Sequence, residues 1–275
     1  MSRTQFDPKY GGALLTSLGR NIFGLGLLLG LLWPLFYVVW ISFTPGELLE
    51  PPTGEWSLRW YHLFFQSPQW TQGLTNSIWV AGMTVIGSLL GGSGVALAVT
   101  RYHFRGAQLL SGAVLLPLFV PAVVLAMALL PFMHAFGLWG SRFSLAAAHS
   151  LWGLPVVFLV TQSALKELDP DLERAARGLG ADPLTTFRRV TLPAIAPALL
   201  VGALMAFILS LNEFVMALFL STPAIETLPK VIWPNLRYTL TPLVAAASSI
   251  TMALTILGLA LATWLLRMQR IIRSR

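Results

Sequence analysis

Six long apolar stretches alternate with short polar segments along this chain. They run from Ile22 to Phe43, Leu74 to Thr100, Ala107 to Met133, Ser144 to Ala164, Ala194 to Leu220 and Pro242 to Leu266. A helix that crosses a bilayer needs about 20 mostly apolar residues. The pattern therefore predicts an all-α, polytopic membrane protein with six transmembrane helices. Several stretches carry internal small residues, such as Gly87, Gly91, Gly92 and Gly94 in the second. Small residues let membrane helices approach closely, so these glycines are read first as packing positions and only second as a hinge.

Composition agrees with that pattern. The 275 residues are 56% hydrophobic and 11% charged, against about 25% charged in soluble domains, and mean hydropathy is +0.72. The net charge of +7 raises nucleic acid as a partner. The basic residues, however, sit beside apolar stretches, as expected for lipid headgroups and topology, so nucleic acid is set aside. With no cysteine there is no disulfide, cysteine metal site or thiol nucleophile. The first apolar run is followed by no acceptable cleavage site and is read as a retained span.

Charge then orients the helices. With the N-terminus inside, 14 of the 18 Lys and Arg residues fall on inner segments. Arg59, Arg142, Lys230 and Arg237 remain outside. That bias places both termini in the cytoplasm. The outer loops carry Trp56, Trp60, Tyr61 and Trp70, read as interface belts and lids.

The longest polar segment, Lys166 to Pro193, has the marks of structure. Asp169-Pro170 and Asp182-Pro183 each read as an N-cap followed by proline in the first turn. Asp171 and Glu173 suit the positive end of the first helix. Gly178 and Gly180 can end it. Arg188 and Arg189 suit the last turn of a second helix, Pro193 stops it, and Pro197 can start the fifth span. The expectation is two short helices at a glycine corner, with Ala175 and Ala176 leaving one face bare enough for another surface to approach.

On these residues the chain resembles the permease subunits of binding-protein-dependent ABC importers of type I. Their cytoplasmic motif reads E-A-A, three residues, G, nine residues, I-x-L-P. It falls on Arg174-Ala175-Ala176, Gly180 and Val190-Thr191-Leu192-Pro193 with every spacing kept. Arg174 replaces the first Glu and Val190 replaces Ile. The ionic role of that Glu is either shifted to the neighbouring Glu173 or absent. The resemblance implies that this loop is the coupling helix that docks on an ATPase. It covers about Gln72 to Leu266, including Asn76-Ser77 and His149. Ser210 to Phe214 and Thr227-Leu228-Pro229 look most like the second permease of spermidine/putrescine-type importers. Residues 1–71 are then an N-terminal segment with the first span and an outer loop, 72–266 the permease domain, and 267–275 a basic cytoplasmic tail.

Of the 11 acidic residues only Glu213 falls inside a predicted span. An ionised acid at a helix centre costs about 2.5 to 3.5 kcal/mol on insertion scales. Such a group faces a wet cavity, pairs, or is protonated. Glu213, with Asn212 as companion, is therefore a candidate for the path of a cationic solute. A structural hydrogen bond or snorkelling to the outer interface is weighed equally. His149, one of four widely spaced histidines, is read as a hydrogen-bonded packing residue.

No G-x-x-x-x-G-K-[ST] phosphate loop is present, so energy must come from a partner. A secondary transporter would show several intramembrane charges and an internal repeat. An intramembrane enzyme needs a nucleophile with a base, or a metal pair, and no motif supplies one. The expected function is a non-enzymatic permease subunit lining part of a translocation pathway. The resemblance implies a second permease subunit, two ATPase subunits that bind the ATP, and an extracytoplasmic solute-binding protein, all beside membrane lipid. The chain itself is expected to hold no cofactor and no metal. Polyamine is the first solute choice, followed by 2-aminoethylphosphonate, another small amine or ferric ion.

Overall fold

A computed structural model describes residues 8–273. Arg3 and Arg275, counted above with the inner charges, lie outside them. Two compact units divide at Leu63/Phe64, Thr239/Leu240 and Ser249/Ile250. In chain order the helices are α1 (Pro8–Ile41), α2 (Arg59–Gln66), α3 (Pro68–Ser88), α4 (Gly94–Arg101), α5 (Ala107–Leu115), α6 (Ala122–Ala135) and α7 (Arg142–Glu167). Then come α8 (Pro170–Gly178), α9 (Pro183–Thr186), α10 (Leu192–Asn212), α11 (Val215–Leu220), α12 (Leu228–Tyr238) and α13 (Pro242–Arg273). Among the described residues every regular element is helical, and Thr222 and Ile225 form an isolated bridge.

Five helices are long and apolar enough to cross a membrane: Gly19–Ile41, Pro68–Arg101, Arg142–Glu167, Pro183–Asn212 and Pro242–Arg267. A sixth crossing requires Ala107–Phe119 and Ala122–Ala135 to act together, and these meet at a 110° bend. The straight helix expected from Ala107 to Met133 is thus replaced by a broken one. Pro117 lies in a tight 3-10 turn, Leu116–Phe119, and Val120 is extended ahead of Pro121. A residue before proline is pushed out of the helical region, which fixes the break there.

The first unit contains the first candidate span and the segment after it. Trp60 is buried and its indole N–H donates to the Thr44 carbonyl at 2.9 Å. Tyr61 is hydrogen-bonded to Ser42 at 2.7 Å. Trp56 stays exposed against Phe43. In the second unit Trp70 is buried beside Phe64. The interface belt expected of these aromatics fits Trp56. Trp60 and Trp70 instead pack inside their units.

The core of the second unit is α3, α7 and α10, each packed on the other two. Glycine permits this. A Cβ at Gly92 would lie 2.7 Å from the Leu154 carbonyl oxygen and 2.9 Å from the Phe158 nitrogen. Gly87 and Gly91 face Ser150 and Leu154 in the same way, while Gly94 faces open space. Packing, not a hinge, therefore accounts for three of the four glycines. A π-turn, Leu89–Ser93, joins α3 to α4 at this approach. Val80, Leu145, Ala148, Met216 and Leu220 belong to one apolar cluster of this unit, and Ala96, Phe158, Leu165 and Ile195 form another.

Candidate functional site: the α8 loop and the break after α10

The loop after α7 folds largely as its caps dictate. The Asp169 carboxylate accepts the Asp171 N–H at 2.9 Å, and Asp182 accepts the Thr185 N–H at 3.1 Å. Hydrogen bonds from the Thr185 side chain and backbone hold the Asp182 carboxyl below its ordinary range. At the end of α8 the Ala181 N–H donates to Ala176 O and the Gly180 N–H to Arg177 O. This pairing is a Schellman cap. It needs a left-handed residue at position 180, and Gly180 has φ +89°.

The second half of the loop departs from expectation. No separate helix stops at Pro193. Instead α9 continues through a π-turn, Phe187–Thr191, into α10, and Pro183–Asn212 forms one long helix. Proline has no N–H for the fourth residue back and crowds its carbonyl. A wide turn just before Pro193 absorbs both defects, and Pro193 sits in the first turn of α10.

Glu173 and Arg174 have opposite surroundings. Arg101, the last residue of α4, brings Nε to 3.1 and 3.2 Å from the two carboxylate oxygens of Glu173. The Thr191 hydroxyl donates to the same carboxylate at 2.7 Å. Both charged side chains are largely covered, at 17% and 13% exposure. Glu173 therefore ties α8 to the end of α4 and to the π-turn before α10. Arg174 turns outward and pairs with Asp171 at 2.7 Å, both exposed. Glu173, the neighbour of the position where the motif has Glu, thus makes an ionic contact within the chain, and Arg174 makes one only with Asp171 among the described residues.

Sequence reasoning missed part of the exposed face. Ala175 is exposed and Ala176 half-buried. Leu172 and Leu179 flank Ala175 at i−3 and i+4, and both are exposed, Leu179 by 90%. The spacing was available as a signal, because positions i, i+3 and i+7 share one helix face. Val190 is half-buried, and Leu192 and Pro193 are exposed.

The predicted path residues lie where α10 ends. The fifth span was expected to run unbroken to Leu220, with Glu213 inside it. It ends at Asn212, and Glu213 is extended at φ −75°, ψ 116°. The exposed Asn212 side chain bonds back to the Ile208 carbonyl at 2.8 Å. Glu213 accepts the Met216 N–H at 2.8 Å and so caps α11. Phe214 and Trp233 pack with tilted rings beside the break, with centroids 5.0 Å apart. The acid thus satisfies a backbone donor that the broken helix would otherwise leave open. That gives it a structural task, whatever else it does.

His149 is buried and its Nδ1 lies 2.8 Å from Ser210 Oγ, which donates to Thr84 at 3.3 Å. The Thr84 hydroxyl donates to the Ala146 carbonyl at 3.4 Å. With the Ser210 proton directed to Thr84, the bond between His149 and Ser210 is donated from Nδ1. This network links α3, α7 and α10, and neither a hydrogen bond nor an ion pair joins His149 to Glu213. Among the described residues no group of three or more His, Asp or Glu side chains converges as a metal site.

Apolar helices thus pack around a small-residue core, and the short amphipathic helix α8, with Leu172, Ala175 and Leu179 exposed, is held to the end of α4 by an ion pair. The chain belongs to the family of binding-protein-dependent transport system inner membrane components, whose family model matches residues 83–271. It is 32% identical over 224 residues to the putrescine transport system permease protein PotI of Escherichia coli K12, covering 79% of each chain. It is 31% identical over 198 residues to the spermidine/putrescine permease PotC of the same strain, covering 72% of this chain and 75% of PotC. It shares its fold with a chain of the bacterial alginate ABC transporter solved in complex with an alginate pentasaccharide-bound periplasmic protein. That match has a TM-score of 0.70 at 16% identity and covers 92% and 93% of the two chains. The protein is a permease subunit of a bacterial ABC importer, an inner-membrane transport component and not an enzyme.

Proposed function

We propose that this permease imports polyamines, with α8 as the coupling helix on which an ATPase subunit docks. The exposed stripe Leu172–Ala175–Leu179 carries the coupling reading, because such an apolar surface beside polar residues is a docking feature. The motif residues Glu173, Arg174, Ala175, Ala176, Gly180, Val190, Leu192 and Pro193 then form one unit. Glu173 anchors the helix within the chain, and Gly180 sets the corner. The likeness to PotI and PotC supports a polyamine solute. The periplasmic protein in the alginate complex supports a binding-protein partner. The assembly so read contains a second permease, two ATPase subunits that bind ATP, and an extracytoplasmic binding protein. Both termini are cytoplasmic. A reporter fused after Arg275 should be cytoplasmic and one inserted near Glu50 external; two reporters on one side would overturn this orientation.

In this reading Asn212 and Glu213 border the path at the break after α10, beside the Phe214–Trp233 pair. A carboxylate and aromatic faces are what a cation needs once its water is stripped. Glu213→Gln keeps an oxygen for the Met216 N–H and removes the charge. Polyamine uptake per assembled complex should then fall at least about five-fold, whereas a purely capping role predicts no change in that ratio. The solute itself is tested by purifying the complex with its binding protein and identifying the bound ligand. A ligand that is not a polyamine ends the substrate reading and leaves the coupling reading intact.

A further inference from the structure

Four basic residues fall on the predicted outer segments, and they are not partnered alike. Arg59 pairs with Glu47 at 3.1 Å and Lys230 with Glu226 at 3.5 Å. Arg237 lies over the Tyr238 ring. Arg142 has no acidic partner among the described residues. Among the described residues its side chain makes one hydrogen bond, from Nε to the Asn76 Oδ1 at 2.9 Å. Asn76 is itself buried at 3% exposure, and its Nδ2 donates to the Glu226 carbonyl at 2.9 Å. The amide is held at both ends, so the guanidinium it grips is oriented before anything binds. Beside it opens a cavity of about 380 Å³ lined by Thr71, Gln72, Thr75, Asn76, Arg142 and Ala224. Those walls offer a guanidinium, two amides and two hydroxyls, and no acid.

We infer that this cavity is a docking pocket for a carboxylate side chain of the extracytoplasmic binding protein, with Arg142 as its charged centre. The inference rests on the permease reading and its orientation. The chemistry selects the ligand. A guanidinium whose Nε is already tied presents its remaining N–H groups, and these match the two oxygens of a carboxylate. A cationic solute is repelled by Arg142, so the pocket stands apart from the path of a polyamine. Orientation by Asn76 lowers the ordering cost of docking. A partly exposed charge of this kind chiefly sets the rate of encounter and its salt dependence.

The test uses the complete complex, with second permease and ATPases, in nanodiscs, and the purified binding protein as probe. Arg142→Ala should raise the Kd for the binding protein about ten-fold at low salt and flatten its salt dependence. Arg142→Lys keeps the charge but loses the fork and should cost about three-fold. Gln72→Glu puts a negative charge in the cavity without touching the Arg142–Asn76 bond, and should weaken binding at least as much as Arg142→Ala. Equal Kd and equal salt dependence for wild type, Arg142→Ala and Gln72→Glu overturn the proposal. So does weakening that appears only in nanodiscs with anionic lipid, since the occupant is then a lipid phosphate. A wild-type complex that binds no binding protein overturns the permease orientation as well, which separates the two failures.

Discussion

Glu173 and Arg174 are adjacent on α8, yet they belong to different surfaces. Glu173 faces into the chain, covered, and holds Arg101 and Thr191. Arg174 faces out with Asp171, Leu172 and Ala175. Breaking a covered ion pair by removing one partner costs about 3 kcal/mol, because the other charge is left buried. An exposed pair contributes between zero and about 1 kcal/mol. One face of this short helix is therefore tied into the chain and the other exposed, as the proposed coupling role requires. A helix that must transmit a push needs both, since an unanchored contact would slide without moving the spans.

The comparison breaks most sharply at the anchor. Glu173→Ala should lower transport at least about ten-fold while the chain still inserts, and ATP hydrolysis should lose its dependence on loaded binding protein. Uptake and ATPase assays on the same preparation check this; full coupling in that variant removes the anchor role. Exchanging the pair, as Arg101→Glu with Glu173→Arg, should recover transport to within about three-fold of wild type, although either change alone should not. A double-mutant cycle on uptake gives that coupling directly.

Gly180→Trp sharpens the comparison at the corner. A Cβ there meets open space, but φ +89° is strained for any L side chain. Transport should fall about five-fold, with normal insertion and weakened retention of the ATPase on purification. Arg174→Ala is the small effect. Its ion pair is exposed, so uptake should stay within about two-fold of wild type, and a larger loss would mean that Arg174 itself contacts the ATPase. Mild acid should spare the cap at Asp182. The Asp182 carboxyl is held below its ordinary range, so its folded pKa is the lower one. The cap's contribution is present above the ordinary carboxylate range and is lost as pH falls through the depressed value. Asp182→Asn should thus change transport less at neutral pH than Asp182→Ala, and uptake profiles of the two variants check the order.

Much of the molecule was legible because lipid leaves few options. A backbone in hydrocarbon must bond to itself, so each long apolar stretch has to be helical. The caps at Asp169 and Asp182 and the left-handed Gly180 were equally readable, because they depend on residues within one turn. The bend at Val120 and the break at Glu213 lie inside apolar runs, where hydropathy carries no signal, whereas the π-turn before Pro193 lies in the polar loop, where the proline was read as a stop and not as a bulge in a continuing helix. Prolines at 117, 121 and 193 marked two of these places. The third was marked by Glu213, read as a charge within a helix rather than as the cap of the next one.

The sequence alone determined the all-helical class, the long apolar stretches and the family spacing of the loop. Those are local or one-dimensional properties, set by transfer energies and by contacts within a few residues. Only the tertiary structure decided that Glu173 meets Arg101, 72 positions away, and that Asn76 joins Arg142 to the segment at Glu226. Such pairings depend on which helix faces turn toward each other, and here close packing at glycines such as Gly92 sets that choice.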